Sequence, residues 1–394
     1  MPMNYIEISG SPYNLGYQTG RWWAEYFLRN RKVEAVKAFL RWCNYIDYFQ
    51  HSWDSKNEIH APLLRNTMQW YPEIIEEIAG IEKGVSDAFH DHKTKVNVSF
   101  LDMFCLMLGE TDDGDYNCSS AVFRTPAGYL LAHNDEYLAR YPVLVAKVAM
   151  KTTGSVRRFI SVSYPFQLLG SSAGTNGFLA FSGNTIGCKA QVAALRATWA
   201  CRVPLAIFPR KLLEATSIKE VKDLFSKHHI TLPSHHYVIF RNQAYSLQIR
   251  PLLRPSSDPG NQIRVIKIGG DVHCHTNHFL TDKGYDKKWA YYKPGERESL
   301  RRHQYLSDAL KHQDVCDELH IKKVFLDMAQ HSRYRQQTAA SLFFKVAAKQ
   351  SSLEGHFYFA SGFRKSVFIH HDRHASTARK VKTYKRKTYE NATT

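Results

Sequence analysis

Near residue 110 the chain changes texture within a few residues, and that change limits what it can fold into. The apolar run SFLDMFCLMLGE (Ser99 to Glu110), which reads as a buried helix, gives way to the turn-rich polar loop TDDGDYN (Thr111 to Asn117). CSSAVFRTPAGYLLAHND follows, two strand-like runs joined by the hairpin signal TPAG. Upstream the chain reads as helical. From Trp22 to Trp42 apolar residues recur three and four apart, and PEIIEEIAGIEKGV (Pro72 to Val85) opens on a proline with early glutamates. Downstream, strands are predicted at Val143 to Met150, Arg157 to Tyr164 and Gly177 to Asn184. A helical block covers Ile207 to His229, divided at Thr216 and Ser217, with Ser217 as the cap of its second helix. HHYVIF and AYSLQIR form a hairpin around Arg241 to Gln243. Helices return at ESLRRHQYLSDALKH and IKKVFLDMAQ, and FYFASG and SVFIHH make a last strand pair.

Helices, then strands, then helices, without βαβ alternation, indicate an α+β fold rather than a parallel doubly wound sheet. There is no internal repeat and no glycine-rich phosphate loop. At 394 residues the chain is long enough for a core that needs neither disulfides nor a metal. No run of about 18 apolar residues predicts a membrane span. The N-terminus lacks a basic segment followed by an apolar one, so a secretory signal is not expected. Seven scattered cysteines, without a CxxC pair, fit a reducing compartment, and the cytoplasm is the expected location. The sequons at Asn97 and Asn391 are then incidental. The net charge of +17 owes much to residues 373–394, which hold seven Lys or Arg and no apolar periodicity. This stretch reads as a disordered, solvating basic tail, and no nucleic-acid motif accompanies it.

Cys118 stands where the polar loop meets the first strand. A free cysteine is ordinarily a small buried hydrophobe. The surrounding text points elsewhere, in four places that occur in order. GSPYNLGYQTG (Gly10 to Gly20) resembles the opening signature of the acyl-coenzyme A:6-aminopenicillanate acyltransferase family. NCSSAVFRTPAGYLLAHNDEY (Asn117 to Tyr137) is similar to that family's nucleophile strand and hairpin. SSAGTNGFLAFSGNTI, followed by RVPLAIFPRKLLEATSIKEV, resembles its central strand and the helix after it. HTNHFL (His275 to Leu280) matches its Asn-containing loop, and SLRRHQYL (Ser299 to Leu306) fits the element that follows. The resemblance covers roughly residues 5 to 315.

The resemblance implies an αββα four-layer sandwich of the N-terminal nucleophile type. It implies a precursor cut between Asn117 and Cys118, whose two fragments stay associated. Residues 1–117 would form one subunit, a helical segment, and residues 118–372 the nucleophile-bearing core. The new α-amino group then acts as base for its own thiol. With pKa values of about 7.7–8.0 and about 8.5, proton transfer between the two is nearly balanced. The thiolate attacks an amide or thioester carbonyl, and water or an amine resolves the acyl-enzyme. The implied activity is that of an autoproteolytic cysteine amidohydrolase or N-acyltransferase on a small acyl amide, thioester or peptide-like substrate, without metal or organic cofactor.

The chain departs from the family in two ways. The family's usual Gly before the cysteine is Asn117 here, and its catalytic Asp falls by spacing on Glu136, with Asp135 adjacent. Neighbours on a strand point to opposite faces, so only one of Asp135 and Glu136 is expected to reach Cys118. Asn277 is the expected oxyanion donor. Asn184 is a candidate to line the pocket, or a turn residue at a strand end. Arg210 and Arg302 are candidates for pairing with the carboxylate or substrate, or structural arginines.

Three other readings carry less. HCHTNH (His273 to His278) has metal-ligand density but no second, spaced ligand cluster. A Ser/His/Asp hydrolase lacks its GxSxG elbow. The same fold without activity, acting as a binding protein through its basic surface, would leave Cys118 uncut.

Overall fold

The computed structural model describes residues 5–29, 61–94, 98–107, 117–136, 143–186, 201–240, 242–252, 257–278, 280–281, 284–285, 293–311, 317–330, 338, 340–347, 352–359 and 364–370. Two sheets dominate. The first is eight-stranded, in the order β1-β4-β5-β6-β7-β10-β11-β12. Its strands are β1 (Tyr5–Gly10), β4 (Leu144–Thr152), β5 (Ser155–Ser163), β6 (Ala173–Thr175), β7 (Leu179–Thr185), β10 (Ser234–Phe240), β11 (Gln243–Ile249) and β12 (Ile263–Lys267). The second is six-stranded, in the order β13-β2-β3-β16-β17-β18. It contains β13 (Val272–His275), β2 (Asn117–Thr125), β3 (Gly128–Glu136), β16 (Ala340–Ala347), β17 (Ser352–Phe359) and β18 (Arg364–His370). The remaining strands are short pairs, β8 (Arg202–Val203) with β9 (His229–Ile230) and β14 (Leu280–Thr281) with β15 (Gly284–Tyr285).

Three buried clusters show what packs on what. One joins the helices α1 (Pro12–Arg29), α2 (Pro72–Asp91), α3 (Phe100–Met107), α4 (Ile207–Leu212) and α5 (Ile218–Ser226) to one face of the eight-stranded sheet. The second, with Val145, Ile160, Val162 and Tyr237 facing Leu131, Leu342 and Phe344, lies between the sheets. The third packs α6 (Lys293–Leu310) and α7 (Glu318–Gln330) on the six-stranded sheet through Leu306, Ile321, Phe325 and Phe343. The molecule is thus a mixed α and β structure of the α+β kind. The predicted hairpins at TPAG and after Phe240, and the division of the helical block at Ser217, are all present; Ser217 Oγ accepts from the Glu220 amide at 3.2 Å.

Two features differ from the sequence reading. The segment before Cys118 is not purely helical, since it opens with strand β1. β1 pairs in parallel with β4 in the large sheet, and α1 and α2 cover that sheet. The first helix also begins ahead of Trp22, at Pro12, a residue suited to a helix start. Residues 30–42 of the predicted helix, the loop at 111–116 and the tail at 373–394 lie outside the described residues. The close contact of α1 with α2 depends on four glycines. A Cβ on Gly16 would meet the Glu77 carbonyl oxygen at 1.9 Å, and one on Gly80 the Tyr13 carbonyl oxygen at 2.0 Å. Gly20 and Gly84 are confined in the same way, at 2.2 Å each. No helix among the described residues is long and apolar enough to cross a membrane.

Candidate active site

The β2–β3 hairpin builds the site by register. Cys118 lies opposite Asp135, and Ser120 opposite His133. Alternation then puts Cys118, Ser120, His133 and Asp135 on one face, and Ser119, Asn134 and Glu136 on the other. Both faces are buried at this point; Cys118 is 3 % exposed and both carboxylates at most 2 %.

The first face looks toward the larger sheet. Asp135 accepts from Ser172 Oγ at 2.9 and 2.7 Å, from the Tyr164 hydroxyl, and is joined to His133 Nε2 at 3.0 Å. His133 Nδ1 meets Ser120 Oγ at 2.7 Å, and that hydroxyl donates to Asn184 Oδ1 at 2.6 Å. The Cys118 sulfur, a His133 ring nitrogen and an Asp135 oxygen all lie within 4.8 Å of one another. That spacing would admit a cation. Yet the imidazole and the carboxylate are each already held by hydrogen bonds, and the set reads as a polar relay.

The second face is organised by Arg302 of α6. Its guanidinium pairs with Glu136 and donates to the Cys118 carbonyl at 2.8 Å, Ser119 Oγ at 2.8 Å and Asn277 Oδ1 at 2.9 Å. Asn277 Oδ1 also accepts the Cys118 backbone N–H at 2.8 Å, and its Nδ2 donates to the Thr185 carbonyl at 2.7 Å. Two donors facing one end of the amide fix that end as oxygen. Ser299 holds the Asn277 backbone amide at 2.8 Å, tying this loop to α6.

The electrostatics of the intact chain keep the thiol protonated. Burial pushes the Cys118 thiol well above its ordinary range, Asp135 and Glu136 push it further, and Arg302 and the Thr185 N–H oppose them. Burial likewise raises Glu136, against the pull of Arg302 and the Ser119 hydroxyl. Asn184 Nδ2 is fully buried and has no partner among the described residues.

Of the residues expected from sequence, Cys118, Asp135, Glu136, Asn277, Asn184 and Arg302 are brought together. The backbone of Asn117 opens β2, paired with Glu136. Arg210 is not part of the group. It lies on the helix-covered side of the larger sheet, bonded to Glu77 at 2.7 Å and Glu214 at 3.1 Å and set over the Phe159 ring. Buried Glu77 and partly buried Glu214 pair with Arg210 there, and Lys211 and Arg157 meet the remaining charge of Glu214, so the role of Arg210 is structural. Of the two carboxylates, Asp135 is the one on the thiol's face. Glu136 points to the opposite face and is linked only through Arg302 to the Cys118 carbonyl and, by way of Asn277, to its amide nitrogen.

Sequence reasoning missed His133, Ser120, Tyr164 and Ser172. The first two were readable from the hairpin, since a two-residue step from Cys118 and from Asp135 gives Ser120 and His133. Tyr164 and Ser172 arrive from the other sheet and carry no local signal. The histidines of the 273–278 segment do not converge as metal ligands. His275 stacks face to face on His235, with ring centroids 3.5 Å apart, and His278 bonds to Ser299 at 2.8 Å. Compared with models of known protein families the chain matches none, and a search of curated proteins finds no match.

Proposed function

We propose that this chain is an autoproteolytic cysteine hydrolase or acyltransferase of the N-terminal nucleophile type, built as an αββα sandwich. Its substrate would be an amide-linked or thioester-linked acyl group of a small molecule. The order of packed layers, helices on sheet on sheet on helices, is compatible with that architecture. The observation that carries the reading is the setting of the Cys118 nitrogen. This backbone N–H, inside the site and beside a thiol, is taken by the side chain of Asn277 and framed by Arg302 and Glu136. Opening the Asn117–Cys118 bond would release an α-amine into a cradle already built to hold it.

The division of labour follows from the hydrogen bonds. Once freed, the amine is the base that takes the thiol proton. The thiolate attacks the substrate carbonyl. Asn277 faces the amine with its oxygen, so it positions the base and does not serve as the expected oxyanion donor. The unpartnered Nδ2 of Asn184 and the Thr185 N–H on the thiol side are better disposed for that charge. Arg302 offsets the charge of Glu136 beside the amine. Water or an acceptor amine then releases the acyl group.

Intact mass of the purified protein tests this reading. Two species with the second beginning at Cys118 are expected; active protein containing only the undivided chain would refute it and favour the binding-protein reading.

A further inference from the structure

The α-amine cannot be the base for its own release, because it does not exist until the Asn117–Cys118 bond is cut. The intact chain therefore needs another acceptor for the thiol proton, the more so since burial and two carboxylates hold that proton in place. We propose that the His133–Asp135 pair is this acceptor: it takes the Cys118 proton in the uncut chain and delivers it to the departing nitrogen. The assignment rests on the autoproteolytic reading above and concerns a step that reading leaves without a base.

The geometry supports it in three ways. Cys118, His133 and Asp135 present sulfur, ring nitrogen and oxygen within 4.8 Å of one another. Separations of this order tighten as a reaction proceeds, so distance in the resting site does not exclude transfer. Next, His133 has an acceptor at each nitrogen. Asp135 Oδ1 stands 3.0 Å from Nε2, and Ser120 Oγ, whose own proton goes to Asn184, stands 2.7 Å from Nδ1. A ring flanked by two acceptors has a place for a second proton. Finally, Ser172 and Tyr164 donate to Asp135, which keeps the carboxylate directed at both the ring and the thiol.

The step balances as follows. The proton leaves Cys118 Sγ for the pair, and the thiolate forms a C–S bond to the carbonyl carbon of Asn117. The tetrahedral oxyanion collapses and the C–N bond of Asn117–Cys118 breaks. The proton passes from the pair to the leaving nitrogen, which already carries one hydrogen and departs as a primary amine. Water then opens the thioester, giving the Asn117 carboxylate and restoring the thiol. From that point the amine replaces His133 as base.

The test compares wild type, His133→Gln and Asp135→Asn in the full-length chain, with intact mass followed over time and circular dichroism as a check of folding. Glutamine keeps hydrogen-bonding capacity but cannot take the proton. Cleavage slower by about 10²-fold or more in folded His133→Gln is expected, from the usual contribution of a positioned proton acceptor. Wild-type cleavage with an equal rate in folded His133→Gln overturns the assignment and leaves the function standing. If His133→Gln does not fold, His133→Asn is followed in the same way, and cleavage at the wild-type rate in that variant overturns the assignment. If wild type stays uncut, iodoacetamide labelling of Cys118 decides. Faster labelling at neutral pH in wild type than in His133→Gln supports the pair while refuting autoproteolysis, and equal labelling refutes both.

Discussion

Lowering the pH from 7 to 5 should destabilise this protein strongly, because several of its histidines are buried as neutral rings. His236 and His278 are at most 2 % exposed, and burial pushes them down to about 4 and about 3 respectively. In the unfolded chain the same rings titrate near the ordinary value of about 6.5. Between those limits the unfolded state binds protons that the folded state refuses, so stability is complete above about 6.5 and is lost as pH falls toward the folded values. At pH 5 each unfolded ring is almost fully charged while each folded ring remains almost neutral, a difference of about 2 kcal/mol per ring relative to pH 7. The two together amount to about 4 kcal/mol, a large share of a typical stability of about 5–15 kcal/mol. His235, His273 and His275 shift in the same direction, whereas Glu136, raised by burial, acts the other way. Urea titrations at pH 7, 6 and 5 measure the effect. The midpoint should drop steeply, and His236→Asn should remove about 2 kcal/mol of the pH-dependent loss. A midpoint that is flat across this range would show that the rings are hydrated or charged in the folded protein and would refute the reasoning.

Other substitutions probe the site and the fold. Cys118→Ala should leave one undivided chain on a gel, with Cys118→Ser cutting slowly if at all. Asp135→Asn and Glu136→Gln should both impair self-cleavage, since each carboxylate serves a different side of Cys118; two harmless substitutions would show that the hairpin register is not the one used. In mature protein, Asn184→Ala should lower turnover by about 10²–10³ with little change in melting temperature, while Asn277→Ala should mainly shift the pH dependence of turnover. Gly80→Ala, which pushes a methyl group into the Tyr13 carbonyl, should cost about 1–3 kcal/mol of stability and leave the thiol chemistry untouched.

The opening signature GSPYNLGYQTG has a physical explanation distinct from catalysis. Gly16 and Gly20 let α1 approach the backbone of α2 at Glu77 and Ile81, and Gly80 and Gly84 return the contact. Glu77 is held at that crossing by Arg210 and by the Leu169 amide. The motif that helped suggest a nucleophile fold therefore fixes the helix layer, and the arginine expected at the substrate serves the same layer. Both are residues whose type suits close packing or charge as readily as chemistry, and sequence alone does not separate the two.

What the sequence determined by itself was local. TPAG between two runs of strand formers sets a short hairpin, and a short hairpin sets its register. That register alone places Cys118 across from Asp135 and Ser120 across from His133, and strand alternation sends Glu136 to the other face. Ser217 as a cap and Pro72 as a helix start were legible for the same reason, since their effects reach only a turn or so along the chain. Only the tertiary structure decided which distant groups meet the hairpin. Asn277 and Arg302 stand 159 and 184 residues from Cys118 and reach its backbone because α6 packs on the six-stranded sheet. Tyr164 and Ser172 reach Asp135 because the two sheets face each other. β1 joins β4 across the first helices and the β2–β3 hairpin of the other sheet, a parallel pairing with no local turn to announce it. Periodicity records which face of an element is buried, but the partner on the far side of that face is chosen by how whole layers pack.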